Sequence, residues 1–504
     1  MTNIRPSLRR PLAVRDAQGL LQYGPPVLRI PDARKRVREA NAASDTWVVV
    51  LDDDPTGSQS VQGVPVLASW HADDVRWAFS RPARVFFVLT NTRSMGEKAA
   101  RETVEDVMRT VHDVAKDLGV RYVVLSRGDS TMRGHFLTET QAHERLARSV
   151  GAPYDALLVV PAYLEAGRVT VDDIHYVRSG DSFVPVGQTE YARDAAFGFK
   201  SSDLRDYVEE KTGHRILAQD VVGLSLSDIR LGGIDRVYEV LADCREARVV
   251  VVNAIDEADL DVVALGLVKA REHGIRVLCR TGPSFVAACA GLSTRGPLHH
   301  EEIFPGGERG GHGLIVVGSH VEQTTRQVEA VTALSGVKLV EVDVRCLLEP
   351  GSAKREVGRC VAAMTASLAE MDTVLMSSRD EVVGGSGPES LAIARQVSQA
   401  LVHITRAVVA ASRVSWVLAK GGITSSDIAT DALNIRRATV VGQLFPGIVS
   451  VWVHEGGARS ELKGLPYVVF AGNVGDRSTL ATVVELLRGA EFVKVDEASV
   501  SLGG

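Results

Sequence analysis

The segment LDDDPTGSQS, residues 51–60, sets three carboxylates side by side directly behind the apolar run TWVVV. Adjacent acids repel, so a chain that keeps Asp52, Asp53 and Asp54 together either turns them outward or neutralises them with cations. Related chemistry recurs downstream in TNTR (90–93), SRGDSTMRGHF (126–136) and PAYLEAGR (161–168). Arg93, Arg127, Arg133 and Arg168 offer paired N–H donors to a carboxylate, while Asp53, Asp54 and Asp129 offer acceptors to hydroxyls. Singly, each is also accounted for as a surface ion pair or a turn residue. Four such groups in succession at strand ends suit a small polyhydroxylated acid.

A second set is built of small residues: VVGSH (316–320), AKGGITSSD (419–427) and FAGNVGD (470–476). Glycines let backbone amides approach a ligand closely, and a helix start behind them adds positive potential, which together suit phosphate oxygens. None matches the P-loop GxxxxGK[ST] or the dinucleotide GxGxxG, which disfavours both of those nucleotide folds. The Gly-rich VVGGSGPES from residue 382 reads as a loop leading into a helix with Pro388 in its first turn. Lys420, just ahead of the paired glycines, reads as a solvated strand-end charge in preference to a phosphate partner.

The elements that must position these residues are short, continuous, β-branched runs: TWVVVLD at 46, RVFFVLT at 84, RYVVLS at 121, DALLVVPA at 155, ARVVVVNA at 247 and IRVLCR at 275. Such runs belong to strands buried on both faces. Between the second and third, Val104, Val107, Met108, Val111, Val114, Ala115 and Leu118 fall on one helical face, with Gly119 as the stop and Ser94 with Glu97 as a capping box. Strand, helix, strand implies parallel pairing. In such sheets ligands bind outside the carboxyl ends of the strands, where both residue sets lie.

The 504 residues are too many for one ordinary core. The stretch STRGPLHHEEIFPGGERGGHG, rich in Gly, Pro and charge, reads as a linker. The expected organisation is α/β with two domains, each on a mostly parallel sheet flanked by helices: a basic arm over 1–45, a first domain over 46–292, a linker over 293–312 and a second domain over 313–504. The arm leaves three options open, namely packing in a homodimer, binding an acidic partner, or disorder.

With 45% hydrophobic and 24% charged residues the composition is that of a globular protein, and no apolar run reaches the roughly 20 residues of a membrane span. The N-terminus lacks the apolar core of a secretory signal, so a cytoplasmic location is expected. Five widely spaced cysteines without a CxxC pair argue against a disulfide framework or a structural zinc site. A net charge of -6 gives no global attraction for nucleic acid. Acids in one half and glycines in the other suggest phosphoryl transfer from a nucleotide to a hydroxylated substrate, resting on positioning, magnesium and electrostatics.

Taken together the motifs resemble the four-carbon acid sugar kinase family, from about residue 47 to about residue 497. DDPTG is similar to the family's DDxTG, TNTRS to its strand-end Arg motif, GDSTMRG to its DSTxRG and PAYLEAGRVT to its PAxxxxGRxT. VVGSHVEQTTRQ resembles the opening of its nucleotide domain, GGITSSD its GGxT loop and GNVGD its last glycine loop. The resemblance implies ATP-dependent phosphorylation of the terminal hydroxyl of a sugar acid such as threonate, erythronate or a 3-oxo-tetronate, with Mg2+. It implies ATP contacts from Ser319, Gly421, Gly422, Ile423, Thr424, Gly472, Asn473, Val474 and Gly475. Arg93, Asp129, Ser130, Arg133 and Arg168 become candidate substrate residues, with Asp54 or Asp53 as base and the acids as candidate magnesium holders. The chain departs from the family at Ile423, where a polar residue is common, at Lys420, at the third acid Asp52 and in the arm. The open alternatives are a kinase of another hydroxy acid, a sugar-acid sensor without transfer, and, weakly, a dinucleotide oxidoreductase.

Overall fold

The computed structural model describes residues 12–54, 61–293, 296–304, 307, 309–319, 321–349, 351–378, 387–445, 448–457, 459–472 and 474–490. Among them no helix is long and apolar enough to cross a membrane. The chain divides into two compact units, one holding residues 1–60 and 69–294, the other residues 61–68 and 295–503.

The first unit is built on a parallel sheet with the spatial order Val222–Leu224, Arg248–Val252, Ala156–Val160, Val277–Thr281, Arg121–Arg127, Thr46–Asp52, Val85–Leu89. Every residue of Thr46–Asp52 is buried, as its unbroken apolar run requires. The Glu97–Leu118 helix buries Val104, Val107, Met108, Val111, Val114 and Ala115 and stops at Gly119, whose φ of 68° a glycine adopts without strain. Leu118, in the last turn, is exposed. The expected capping box does not form. Ser94 belongs to a preceding 3-10 turn, where its hydroxyl donates to the Asn91 carbonyl at 2.9 Å, and Gly96 takes the N-cap. A small antiparallel sheet of Arg15–Asp16, Ser182–Pro185, Ile174–Ser179 and Arg168–Val171 completes the unit.

Residues 12–45 of the segment expected as an arm are part of this unit's fabric. The Ala33–Ala43 helix packs on Glu257–Glu272, and Arg34 donates to Asp261 at 3.0 Å, to Glu257 at 2.9 Å and to the Leu292 carbonyl at 3.0 Å. Arg230, buried against Asp259, also donates to the carbonyls of Tyr23 and Pro25. Arg29 likewise donates to Asp256 at 2.9 Å, so these basic residues find acids within the same unit, and disorder does not apply to residues 12–45.

The second unit orders its strands Val64–Leu67, Arg437–Phe445, Val449–Gly456, Pro466–Phe470, Val414–Lys420, His312–Val317, Asp372–Ser377, Val337–Val342. The first three pairings are antiparallel and the rest parallel. The chain between Phe445 and Val449 is too short for a crossover, so that connection can only be a hairpin. Two boundaries differ from expectation. Val64–Leu67, placed by sequence order in the first domain, pairs with Arg437–Val440 of the second unit, a long-range choice that no local pattern reveals. Inside the expected linker, His300–Ile303 forms a helical turn, and Leu298, Ile303 and Phe304 enter the second core.

Candidate functional site

In the first unit, strand register sets Leu89, Asp52, Arg127, Thr281 and Val160 in one row at the carboxyl ends. Asp53 and Asp54, Thr90 to Arg93 and Gly128 to Gly134 follow directly from that row. Each acid there meets a guanidinium. Arg127 Nη1 donates to Asp52 Oδ1 at 2.7 Å, and Arg93 donates to Asp54 while its other terminal nitrogen stands 3.7 Å from Asp129. Asp129 accepts from Arg133 Nε at 2.6 Å. Arg280 joins Asp53, at 3.3 Å, to Glu139, and also donates to Ser126 Oγ at 2.8 Å. The run of acids is therefore answered by arginines drawn from neighbouring strand ends.

Local sequence makes room for this network. A Cβ on Gly128 would lie 2.4 Å from Arg280 Nη2, and one on Gly134, at φ +107°, would lie 3.0 Å from Asp53 Oδ2. His175 holds the loop between them, since its Nε2 bonds the Ser130 carbonyl at 2.8 Å and its Nδ1 the Thr170 hydroxyl at 3.0 Å. Burial brings this imidazole down to about 4, so it is neutral and donates from Nε2. Arg168 stacks over the Tyr163 ring at 5.8 Å, and its Nε has no hydrogen-bond partner among the described residues.

Electrostatics separates the acids. Burial pushes Asp52 up despite Arg127, and pushes Asp53 up to about 7 despite Arg280 and Arg93. Asp129 is buried too, but Arg93 and Arg133 outweigh its desolvation and hold it at about 2. Among the described residues Asp53 Oδ1, Asp52 Oδ2 and Arg127 Nε are buried without hydrogen-bond partners. A group with an open oxygen and a pKa near neutrality can exchange a proton, and open guanidinium nitrogens can receive an anion. The expectation that the acids hold magnesium does not fit. Their charge is taken by arginines, and no group of three or more His, Cys, Asp or Glu among the described residues is disposed to hold a metal ion.

In the second unit, register aligns Met376, Val317, Lys420 and Phe470. The residues that follow converge. A Cβ on Gly318 would lie 2.1 Å from Thr424 Oγ1, one on Gly421 would lie 3.5 Å from the Ser319 amide nitrogen, and one on Gly472 would lie 2.9 Å from Ser319 Oγ. Thr324 Oγ1 bonds Ser319 Oγ at 2.9 Å and the Gly472 carbonyl at 3.0 Å. Gly421, at φ 124°, caps the Gly422–Asp427 helix. Three strand ends thus form one cradle lined by hydroxyls and bare backbone, a surface that fits phosphate oxygens.

The structure brings Ser319, Gly421, Thr424 and Gly472 together, with Gly422 in the first helical turn. Ile423 is 67% exposed. Val474 and Gly475 lie one turn further on, their carbonyls bonded by Gln327 and Gln323. Asn473 falls outside the described residues, as do Pro55, Thr56 and Gly57 of DDPTG, His320 and the loop 379–386. Lys420 corrects its reading as a solvated charge. It is fully buried, with Nζ donating to the Ala471 carbonyl at 2.7 Å and lying 3.8 Å from the Phe470 ring centroid. Sequence reading also missed Arg280, Glu139 and His175. Arg280 stands at the carboxyl end of a recognised strand run, so the rule that found Arg127 would have found it. Glu139 and His175 carry no such signal.

Residues 48–289 match the model of a sugar-binding N-terminal domain, and residues 314–480 that of a nucleotide-binding C-terminal domain. The chain is 26% identical over 449 residues to a D-threonate kinase of Salmonella typhimurium, covering 86% of this chain and 96% of that one. It is 27% identical over 337 residues to a D-erythronate kinase of Heliobacterium modesticaldum, covering 62% and 70%. The crystal structure of a Haemophilus influenzae protein superposes with a TM-score of 0.60 at 16% identity, over 88% of this chain and 99% of that one, a likeness of fold. With both domain models matched in order over most of its length, the chain belongs to the four-carbon acid sugar kinase family.

Proposed function

We propose that the protein transfers the γ-phosphoryl group of ATP to the terminal hydroxyl of a four-carbon sugar acid of the threonate, erythronate or 3-oxo-tetronate class. The observation that carries this reading is the pairing of chemistries: open guanidinium nitrogens beside an open, near-neutral carboxyl in one unit, and a glycine-lined cradle in the other. In this reading Arg168 and Arg127 receive the substrate carboxylate, while Arg93, Asp129, Ser130 and Arg133 hold its hydroxyls. Asp53 Oδ1 accepts the proton of the attacking hydroxyl. Asp54 suits that role less well because Arg93 already occupies it. Ser319, Thr424 and the amides around Gly421 and Gly472 bind the phosphates, and magnesium enters as part of the MgATP substrate. The oxygen to γ-phosphorus bond forms as the β,γ-bridge bond breaks, ADP leaves, and Asp53 returns its proton to solvent.

The test is MgATP-dependent ADP release with a panel of four-carbon sugar acids. Release with one or a few acids, lost in Asp53→Asn while ADP still binds, is the expected result. Binding of both ligands with no ADP release from any acid would instead identify a sensor, and release only with longer acids a kinase of another class.

A further inference from the structure

A buried ammonium without an acidic partner is costly, because burial favours the neutral amine. Among the described residues Lys420 is in that position: Nζ faces the carbonyls of Ala471 at 2.7 Å and Val474 at 3.5 Å and the Phe470 ring, and burial alone brings it down to about 7. Several ionisable groups on the described surrounding elements are engaged elsewhere. Asp476 accepts from Ser478 and Thr479, Asp427 from Ser398 at 2.5 Å, and the Tyr467 hydroxyl donates to the Ser425 carbonyl at 2.5 Å. Glu322 pairs with Arg326 on the neighbouring helix, and Asp372 pairs with Arg488 at 2.7 Å. His312 sits at the far end of the adjacent strand, 3.7 Å from Asp372.

The same residue ties the cradle together. Its carbonyl accepts from the Gly318 amide at 3.2 Å, and the next amide, of Gly421, donates to the Phe470 carbonyl at 2.8 Å. Its side chain spans to the turn that carries Gly472 and Gly475. A charge placed directly behind bare backbone, with low-dielectric surroundings, acts on any anion in front of that backbone.

Resting on the nucleotide reading above, we infer that Lys420 is the buried counter-charge of the nucleotide phosphates and takes up a proton as the nucleotide binds. An arriving polyanion supplies negative charge that none of the described residues places beside Nζ, so the bound state favours the ammonium. Linkage then fixes the sign. Nucleotide affinity is fully developed below the Lys420 value of the free protein and falls as pH rises above it, by roughly tenfold per unit until the bound-state value is reached.

The experiment is titration calorimetry of the full-length protein with ADP at about pH 8.5, in two buffers of different ionisation enthalpy, repeated at about pH 6. The expected result is uptake of close to one proton per ADP at the higher pH and little at the lower. In Lys420→Met, checked for an unchanged circular dichroism spectrum, uptake at the higher pH disappears, and the proton exchange that remains at the lower pH is that of the nucleotide's own phosphate, which titrates near about 6. Binding of ADP to the wild type without proton uptake at the higher pH overturns the inference, as does uptake that survives in Lys420→Met. The wild-type comparison stands even if the variant does not fold. Failure of ADP to bind in any buffer overturns the nucleotide reading and this inference with it.

Discussion

Asp53 and Arg280 show how a side chain's neighbours, more than its type, set its chemistry. Asp52, Asp53 and Asp129 are all buried aspartates, yet the first two are raised and the third is held at about 2, because two guanidinium groups converge on Asp129. Asp53 must share Arg280 with Glu139, whose own charge works against its ionisation. Asp53→Asn is expected to lower kcat by about 10²- to 10⁴-fold, the usual worth of a general base, with ADP affinity unchanged. In the wild type, kcat/KM should fall as pH drops below about 7, since a protonated Asp53 cannot accept the substrate proton. Arg280→Met removes the cation that favours the Asp53 carboxylate, so the same limb should move to higher pH. A pH profile that stays in place in that variant would contradict the assigned pairing.

Among the elements, the strand ends of the second unit depend on missing side chains. Gly318 terminates His312–Val317 against the Thr424 side chain, where an added Cβ would come within 2.1 Å of Oγ1 and 3.1 Å of Cγ2. Thr424 is nearly buried and opens a helix, so it cannot swing away freely. Gly318→Ala is therefore expected to cost about 1–3 kcal/mol of fold stability as overpacking, with weaker ADP binding in addition where the junction shifts to relieve the contact. Comparing the ADP dissociation constant with the urea midpoint of the variant separates the two. A full-strength ADP site in Gly318→Ala would mean the nucleotide does not use this junction.

For the whole molecule, chain order and unit order do not coincide. Val64–Leu67 arrives early in the sequence yet pairs with Arg437–Val440, close to the other end of the chain. A fragment of residues 295–504 thus lacks one strand of its own sheet and exposes the pairing groups of Arg437–Val440, an edge prone to association. Expressed alone, it is expected to melt at lower temperature than the corresponding transition of the full chain and to associate by size-exclusion chromatography. Fusing residues 61–68 through a flexible linker should reverse both effects. If the bare fragment is monomeric and equally stable, the strand adds nothing to that unit.

The sequence alone determined the α/β class, most strand positions, the Glu97–Leu118 helix and the two groups of strand-end residues, because buried parallel strands are written as continuous β-branched runs and their ends as abrupt changes of residue type. It also carried the motif order that marks the family. Tertiary structure alone decided which arginine answers which aspartate, since Arg280 meets Asp53 across strands far apart in the chain. The same holds for Lys420, whose burial depends on the Phe470 ring and the Ala471 carbonyl of a neighbouring strand. It holds too for Val64–Leu67 and for Arg29 and Arg34. Local composition reports what a residue can do, whereas pairing, burial and the resulting proton affinities are set by groups brought near only when the sheet is assembled.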